Sequence, residues 1–233
     1  MRKVCFFCFV LVFVVIISFA LCANAMTLDF ETDIVSEEDR VEIIKNIDLQ
    51  LVREEKAVAP IRCFDVHPDG RYALAFSENG RSDVFVYDAN GVFLYGYTFN
   101  PSGAYAIQFR GDFLELYLVR GDVIAVYDPA GNCVEVQNVI STEQNNLKVR
   151  ELLDRSYKEV AGKKYVLERN WDMGDSYSRF TVVDEYGKKT TLVDVSVENG
   201  ARQFMLIAYI VIIFAVVICL AYKKYRSDDK SCN

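Results

Sequence analysis

The sequence predicts an all-β protein with minor helical elements, built from repeated four-stranded antiparallel units and followed by one C-terminal transmembrane helix. Residues 86–91 (VYDANG) return forty positions later as residues 126–131 (VYDPAG), and residues 182–187 (VVDEYG) form a looser third copy. Runs of β-branched and aromatic residues alternate with Asn-Gly and Asp-Gly turns, as in β-hairpins. A period near 40 residues in such a sequence indicates a repeated supersecondary unit. The transmembrane helix is predicted from an uncharged run near the C-terminus.

A signal peptide is predicted over residues 1–25. Arg2 and Lys3 precede an uncharged run at residues 4–22, and residues 23–25 (ANA) have the small-x-small pattern of a signal-peptidase site. This run is longer than the ~7–15 apolar residues of an ordinary signal-peptide core, so an uncleaved membrane anchor is the alternative interpretation.

The next segment, residues 26–59, contains no copy of the repeat and is predicted to cover a sheet edge. Ser36 and Asp39 have the spacing of a capping box, which predicts the start of a helix. The apolar stripe of this helix would consist of Val41, Ile44 and Ile47. Residues 48–52 (DLQLV) follow the helix, and their alternation of apolar and polar residues predicts a half-buried strand.

The repeat units are predicted within residues 60–200, at about 60–99, 100–139 and 156–196. Gly70 and Gly111 occupy corresponding turns and lie 41 positions apart, which agrees with the 40-residue spacing of the Asp-containing turns. Gly91 and Gly131 are expected at positive φ, because tight hairpin turns require it. Strands are expected at 61–66, 72–76, 84–87 and 92–99, then at 105–109, 113–119, 123–127 and 133–139, and finally at 165–169, 180–183 and 190–195.

An insertion at residues 141–155 separates the second and third units. The insertion is polar, but its leucines fit one helical face, and Ser141 with Gln144 has capping-box spacing. We therefore expect a short helix or an ordered loop over residues 142–155, lying on the array of sheets.

The C-terminal run, residues 204–222, has 19 residues without a charged side chain. At about 1.5 Å per residue such a helix spans ~28 Å, which is enough to cross the hydrocarbon core of a membrane. Lys223 and Lys224 follow it and place the tail, residues 223–233, in the cytoplasm. These features predict a single-pass type I protein of the cell membrane with an extracytoplasmic N-terminal domain. The absence of an Asn-x-Ser/Thr sequon favours a bacterial source.

The turn sequences at residues 67–72 (HPDGRY) and 86–91 (VYDANG) resemble those of the β-propeller superfamily, in particular its WD-repeat-like and NHL-like bacterial blades. The resemblance covers residues 59–196 and implies four-stranded blades. Closed propellers have at least four blades, whereas three copies are counted in this chain. The resemblance thus implies an incomplete arc, a ring closed by an oligomer, or a different packing of similar meanders.

The sequence predicts no catalytic residue, no cofactor and no metal site. His67 is the only histidine, and it stands in a turn before Pro-Asp-Gly, where a structural role is favoured. No cluster of histidine and cysteine has the spacing of metal ligands. The net charge of −7 disfavours binding to nucleic acid.

Four residues are candidates for a binding or covalent role. Tyr95 and Tyr97 share one face of a strand, where they are expected either to bind a partner or glycan or, as the favoured alternative, to pack in the core. Cys63 and Cys133 are the only cysteines between the apolar ends, so they could form one disulfide bond.

Taken together, these features predict a membrane-tethered interaction module without evident catalysis. Its expected partner is another protein or a second copy of the chain. The alternative is a hydrolase that acts on cell-envelope polymers through its Asp and Glu carboxylates.

Overall fold

The computed structural model describes residues 30–55, 59–78, 80–169, 176–196, 208–209 and 211–214. Strands dominate these residues, and the predicted all-β class with few helices is confirmed. In chain order the elements are β1 (Thr32–Ile34), α1 (Glu37–Ile47), β2 (Gln50–Val52), β3 (Ile61–Val66), β4 (Tyr72–Glu78), β5 (Arg81–Tyr87), β6 (Phe93–Phe99), β7 (Tyr105–Arg110), β8 (Phe113–Leu118), β9 (Val123–Tyr127), β10 (Cys133–Val139), α2 (Glu143–Leu153), β11 (Tyr157–Val160), β12 (Lys163–Glu168), β13 (Arg179–Val183) and β14 (Lys189–Asp194).

The described strands form three antiparallel sheets. Sheet I has the order β2-β6-β5-β4-β3, sheet II the order β1-β10-β9-β8-β7, and sheet III the order β11-β12-β13-β14. Each sheet contains a four-stranded meander in which strands adjacent in the chain pair directly, so local hairpins account for most of the pairing. The predicted strands of all three units are observed, and the structure adds β11, which the sequence did not predict.

The same turn closes the hairpin between the third and fourth strands of each meander. Asp88 Oδ1 accepts hydrogen bonds from the backbone N–H groups of Asn90 and Val92, both at 2.8 Å, and Gly91 N–H donates to the Asp88 carbonyl. The turns that begin at Asp128 and Asp184 repeat these contacts. The sequence repeat is therefore a repeat of turn geometry, in which an Asp side chain satisfies backbone donors.

Gly91 and Gly131 both have φ of +86°, as expected. Replacing Gly91 with alanine should lower the free energy of unfolding by about 1–2 kcal/mol, because an L-residue is strained at this backbone conformation. The added Cβ would also stand 3.3 Å from the Tyr72 hydroxyl. Chemical denaturation measures the difference, with Gly103→Ala as the control. Gly103 has no positive φ and space for a Cβ, so a loss there as large as at Gly91 would contradict the explanation.

Sheet I lies between the other two sheets because successive residues of its strands face opposite sides. Val84 and Val86 of β5 pack in a core shared with sheet II, whereas Phe85 and Tyr87 pack in a core shared with sheet III. Within the second core the ring of Phe180 contacts the rings of Phe64, Tyr72 and Tyr165. The other face of sheet II, which points away from sheet I, packs against α2.

The N-terminal segment forms a clasp, which we define as β1, α1 and β2, across the outer edges of sheets I and II. β1 pairs with β10, and β2 pairs with β6. The strand expected after the helix is observed as β2, and it lies against the outer edge of β6. Ser36 caps α1 by accepting a hydrogen bond from Asp39 N–H, also as predicted. The predicted stripe is wrong at Val41, which is 60% exposed, because Ile43 packs inward instead.

The insertion forms α2, with a different cap from the one predicted. Thr142, not Ser141, accepts the hydrogen bond from Asn145 N–H. The buried Asn145 side chain donates to the carbonyls of Glu31 and Ile140 and accepts from Glu31 N–H. This tertiary pairing fixes the start of the helix one residue later than the capping-box spacing indicated.

The predicted C-terminal transmembrane helix is corrected by the structure: none of the helices among the described residues is long and apolar enough to cross a membrane. Within that run the described helical residues are 208–209 and 211–214. The single-pass membrane location inferred from this helix is not supported. The predicted signal peptide and tail lie outside the described residues.

Candidate functional site

The first strands of the three meanders, β3, β7 and β11, meet at the centre of the molecule, where β3 contacts both of the others. A cavity of about 650 Å³ opens at this point. The cavity is lined by Asp65 from β3 and by Gln108 and Phe109 from β7. Its other lining residues are Glu151, which lies in α2, and residues 154–159, which lead from the end of α2 into β11. All three sheets thus contribute to one concave surface.

Asp65 forms the floor of this cavity and is 0% exposed. Its Oδ1 atom accepts hydrogen bonds from Arg155 Nη1 and from Lys158 Nζ, both at 2.7 Å. Its Oδ2 atom accepts from Phe109 N–H at 2.8 Å. A buried carboxylate requires such partners, and here they come from two other sheets and the connection between them. Asp65 therefore ties the three inner strands together.

Two cations face this single buried carboxylate. The Arg155 side chain is 11% exposed, and among the described residues its guanidinium donates only to Asp65. Lys158 is more accessible, and its ammonium group donates to Asp65 and to the Val66 carbonyl. A guanidinium has five N–H donors and an ammonium three, so donors on both side chains are left for other acceptors. The floor carries one more positive than negative charge.

The rim of the cavity is acidic. Glu151, Asp154 and Glu159 line it, and all three are exposed. Tyr157 also lies on the rim, where the Lys164 ammonium sits 4.3 Å from the centre of its ring. A ligand entering the cavity would therefore pass acidic groups before it reaches the cationic floor.

A second buried polar pair lies beside the floor. Gln108 lines the cavity, and its Nε2 donates to the Glu115 carboxylate on the neighbouring strand β8. Both side chains are almost fully buried. With Asp65 on β3 and Glu115 on β8, buried carboxylates of two different sheets make this end of the sheets polar, in contrast to the apolar cores between the sheets.

His67, for which the sequence favoured a structural role, follows β3 and contacts two neighbouring side chains. Its ring stands edge-on to Phe109, and Nδ1 lies 2.7 Å from Asp69 Oδ1. Burial alone would raise the pKa of Asp69, but hydrogen bonds from Arg71 and His67 outweigh it and hold the pKa below its ordinary value. Arg71 forms ion pairs with both Asp69 and Asp112, so this network joins a turn of sheet I to a turn of sheet II.

The two candidate tyrosines lie between sheets rather than on an open surface. Tyr97 is 1% exposed, and its hydroxyl donates to the Asp128 carbonyl at 2.6 Å. Tyr95 is half-buried, its ring stands 5.5 Å from that of Tyr97, and its buried hydroxyl has no hydrogen-bond partner among the described residues. Burial raises the pKa of both phenols. Tyr97 therefore packs in the core, which is the alternative that the sequence favoured over a surface site.

The two candidate cysteines are both free thiols. Cys63 is buried in the core between sheets I and II, and burial raises its pKa to about 12. Cys133 is half-buried beside the same core, and its thiol donates to the Glu135 carbonyl at 3.5 Å. Neither thiol lines the central cavity.

No protein-family model matches this chain, and no curated protein is similar to it in sequence. The site must therefore be interpreted from its own geometry. Sequence reasoning did not single out Asp65, Arg155 or Lys158. The available signal was Asp65 itself, a charged residue in a strand that is otherwise apolar over its second half.

Proposed function

We propose that the protein is a binding module that takes up a ligand in its central cavity, and that it has no catalytic activity. The observation that carries the proposal is the cavity itself, formed where three sheets converge and lined by the largely buried side chain of Arg155. Concave sites with a few convergent polar groups are the usual form of ligand sites. The three meanders resemble blades of an open propeller, whose inner strands would face such a site.

Binding is favoured over the hydrolase alternative by the state of the buried carboxylate. Both oxygens of Asp65 already accept hydrogen bonds from protein donors, so neither is available as a nucleophile or general base. The remaining carboxylates of the cavity are exposed on its rim. Glycoside hydrolysis requires an acid and a second carboxylate on opposite sides of the bond to be cleaved.

A photo-crosslinking residue placed at Tyr157 should capture the ligand in cells that make the protein. Tyr157 lies on the cavity rim and is 56% exposed. The matched control is the same residue at Tyr186, which is more exposed and lies in the turn between β13 and β14. We expect a captured species at position 157 and none at position 186.

The captured species, once purified, should bind the wild-type chain and fail to bind the variant Ser156→Trp. Ser156 lines the cavity, so a tryptophan there fills it. Tyr186→Trp is the control and should bind as the wild type does. Unchanged binding to Ser156→Trp would refute the proposal. Cleavage of the captured species, lost in Glu159→Gln, would instead establish the hydrolase.

A further inference from the structure

We infer that the floor of the cavity recognises a carboxylate group of the ligand, held by Arg155 and Lys158, and that the rest of the ligand is cationic. This inference rests on the proposed binding function. It assigns the chemistry of the ligand from the unused donors of the floor and from the charge of the rim.

Arg155 provides the main argument. Its guanidinium donates one hydrogen bond, to Asp65, and Arg155 is one of the residues that line the cavity. A planar guanidinium presents parallel N–H groups that match the two oxygens of a carboxylate. A largely buried cation that lines a cavity is satisfied best by an anionic acceptor there, because the Coulomb attraction between opposite charges strengthens away from bulk water.

The charge balance of the floor supports the same conclusion. Lys158 with Phe109 N–H would already neutralise and hydrogen-bond Asp65. Arg155 adds a second positive charge to this buried carboxylate. One ligand carboxylate would pair the two cations with two anions, and the remaining Lys158 proton gives it a further donor.

The rim restricts the ligand further. Glu151, Asp154 and Glu159 line the cavity, and although Lys164 lies 3.9 Å from Glu159, the three carboxylates leave the rim net negative and repel polyanions such as phosphate esters and nucleic acid. They attract groups of positive charge. A carboxylate with a neighbouring amine or guanidinium satisfies both floor and rim. This chemistry occurs in a free amino acid and in an Asp or Glu side chain of a polypeptide flanked by Lys or Arg.

Titration of the full chain followed by ¹⁵N NMR of the Arg155 Nε–H group tests the inference. The probes are sodium acetate, L-glutamate, the tripeptide Lys-Glu-Lys, L-lysine amide and inorganic phosphate. We expect saturable shifts with L-glutamate and the tripeptide, weaker shifts with acetate, and none with L-lysine amide or phosphate. Tighter binding of the tripeptide identifies a polypeptide as the source of the carboxylate, whereas tighter binding of L-glutamate identifies a small molecule.

The matched variants are Arg155→Lys and Arg110→Lys. Arg155→Lys keeps a cation beside Asp65 but lacks the planar fork, so affinity for the tripeptide should fall about tenfold or more, read from amide shifts and calorimetry. Arg110 pairs with Glu135 on the surface, and its replacement should leave affinity unchanged.

Equal affinity of the wild-type chain and Arg155→Lys would overturn the inference, as would tighter binding of phosphate than of any carboxylate probe. The two proposals fail separately. If Ser156→Trp abolishes binding of the crosslinked ligand and Arg155→Lys does not weaken it, the binding function stands and the carboxylate assignment falls. If Ser156→Trp has no effect, both fall.

Discussion

Asp65→Ala should lower the free energy of unfolding by about 3–5 kcal/mol, the cost of leaving a buried cation without its counterion. The Asp65 side chain is 1% exposed and accepts hydrogen bonds from Arg155, Lys158 and Phe109 N–H. Its removal leaves two positive charges close together in a cavity with limited access to water. Urea denaturation of the full chain measures the difference.

The control for this prediction is Asp194→Ala. Asp194 pairs with Arg179 at 2.9 Å and accepts a hydrogen bond from Ser196 N–H, but both side chains of the ion pair are about 40% exposed. Exposed ion pairs contribute about 0–1 kcal/mol, so this variant should change stability little. Asp65→Asn should lie between wild type and Asp65→Ala, because an amide oxygen still accepts from one of the three donors.

A double variant separates the loss of charge pairing from the loss of volume. Asp65→Leu combined with Arg155→Met replaces a buried ion pair by apolar side chains, which is often close to neutral. We expect it to recover most of the stability lost in Asp65→Leu alone. A double variant as unstable as the sum of the two single variants would mean that the two residues do not form an interacting pair.

The strands could be predicted from the sequence because their signals are local. An Asp whose side chain accepts from N–H groups two and four positions later is readable as a turn, and Gly91 and Gly131 occupy the positions that need positive φ. The exceptions are β1, a three-residue strand outside the repeat units, and β11. Its residues, Tyr157–Val160, alternate between exposed and half-buried, so the strand lacks an apolar face by which sequence periodicity could find it.

The candidate site could not be predicted because its contacts are not local. Asp65 and Arg155 are 90 positions apart, and Arg155 belongs to a polar insertion whose charges are typical of a solvated helix end. Only the packing of sheets I and III brings β3 and β11 together. Tyr97 shows the converse case. An aromatic strand residue is compatible with a surface or a core, and the packing of sheet I against sheet II decides the matter, because the Tyr97 ring lies 6.3 Å from the Tyr127 ring.

Ile47→Asp should release the clasp and cause the chain to associate. Ile47 is 2% exposed in the core between sheets I and II, and its carbonyl accepts from Asn100 N–H at 2.9 Å. Deleting such an isoleucine costs about 2–5 kcal/mol, and a buried carboxylate adds a desolvation cost. With the clasp released, β6 and β10 each present a row of unpaired backbone groups, which invites edge-to-edge pairing between molecules.

Light scattering over a range of concentrations should therefore show self-association for Ile47→Asp, and hydrogen exchange should become faster in β6 and β10. Val41→Asp is the matched control, because it places the same charge on the exposed face of the same helix. It should match the wild-type chain in both measurements. Equal scattering and equal exchange for the two variants would show that the clasp is a passive extension, and that the outer edges of sheets I and II need no cover.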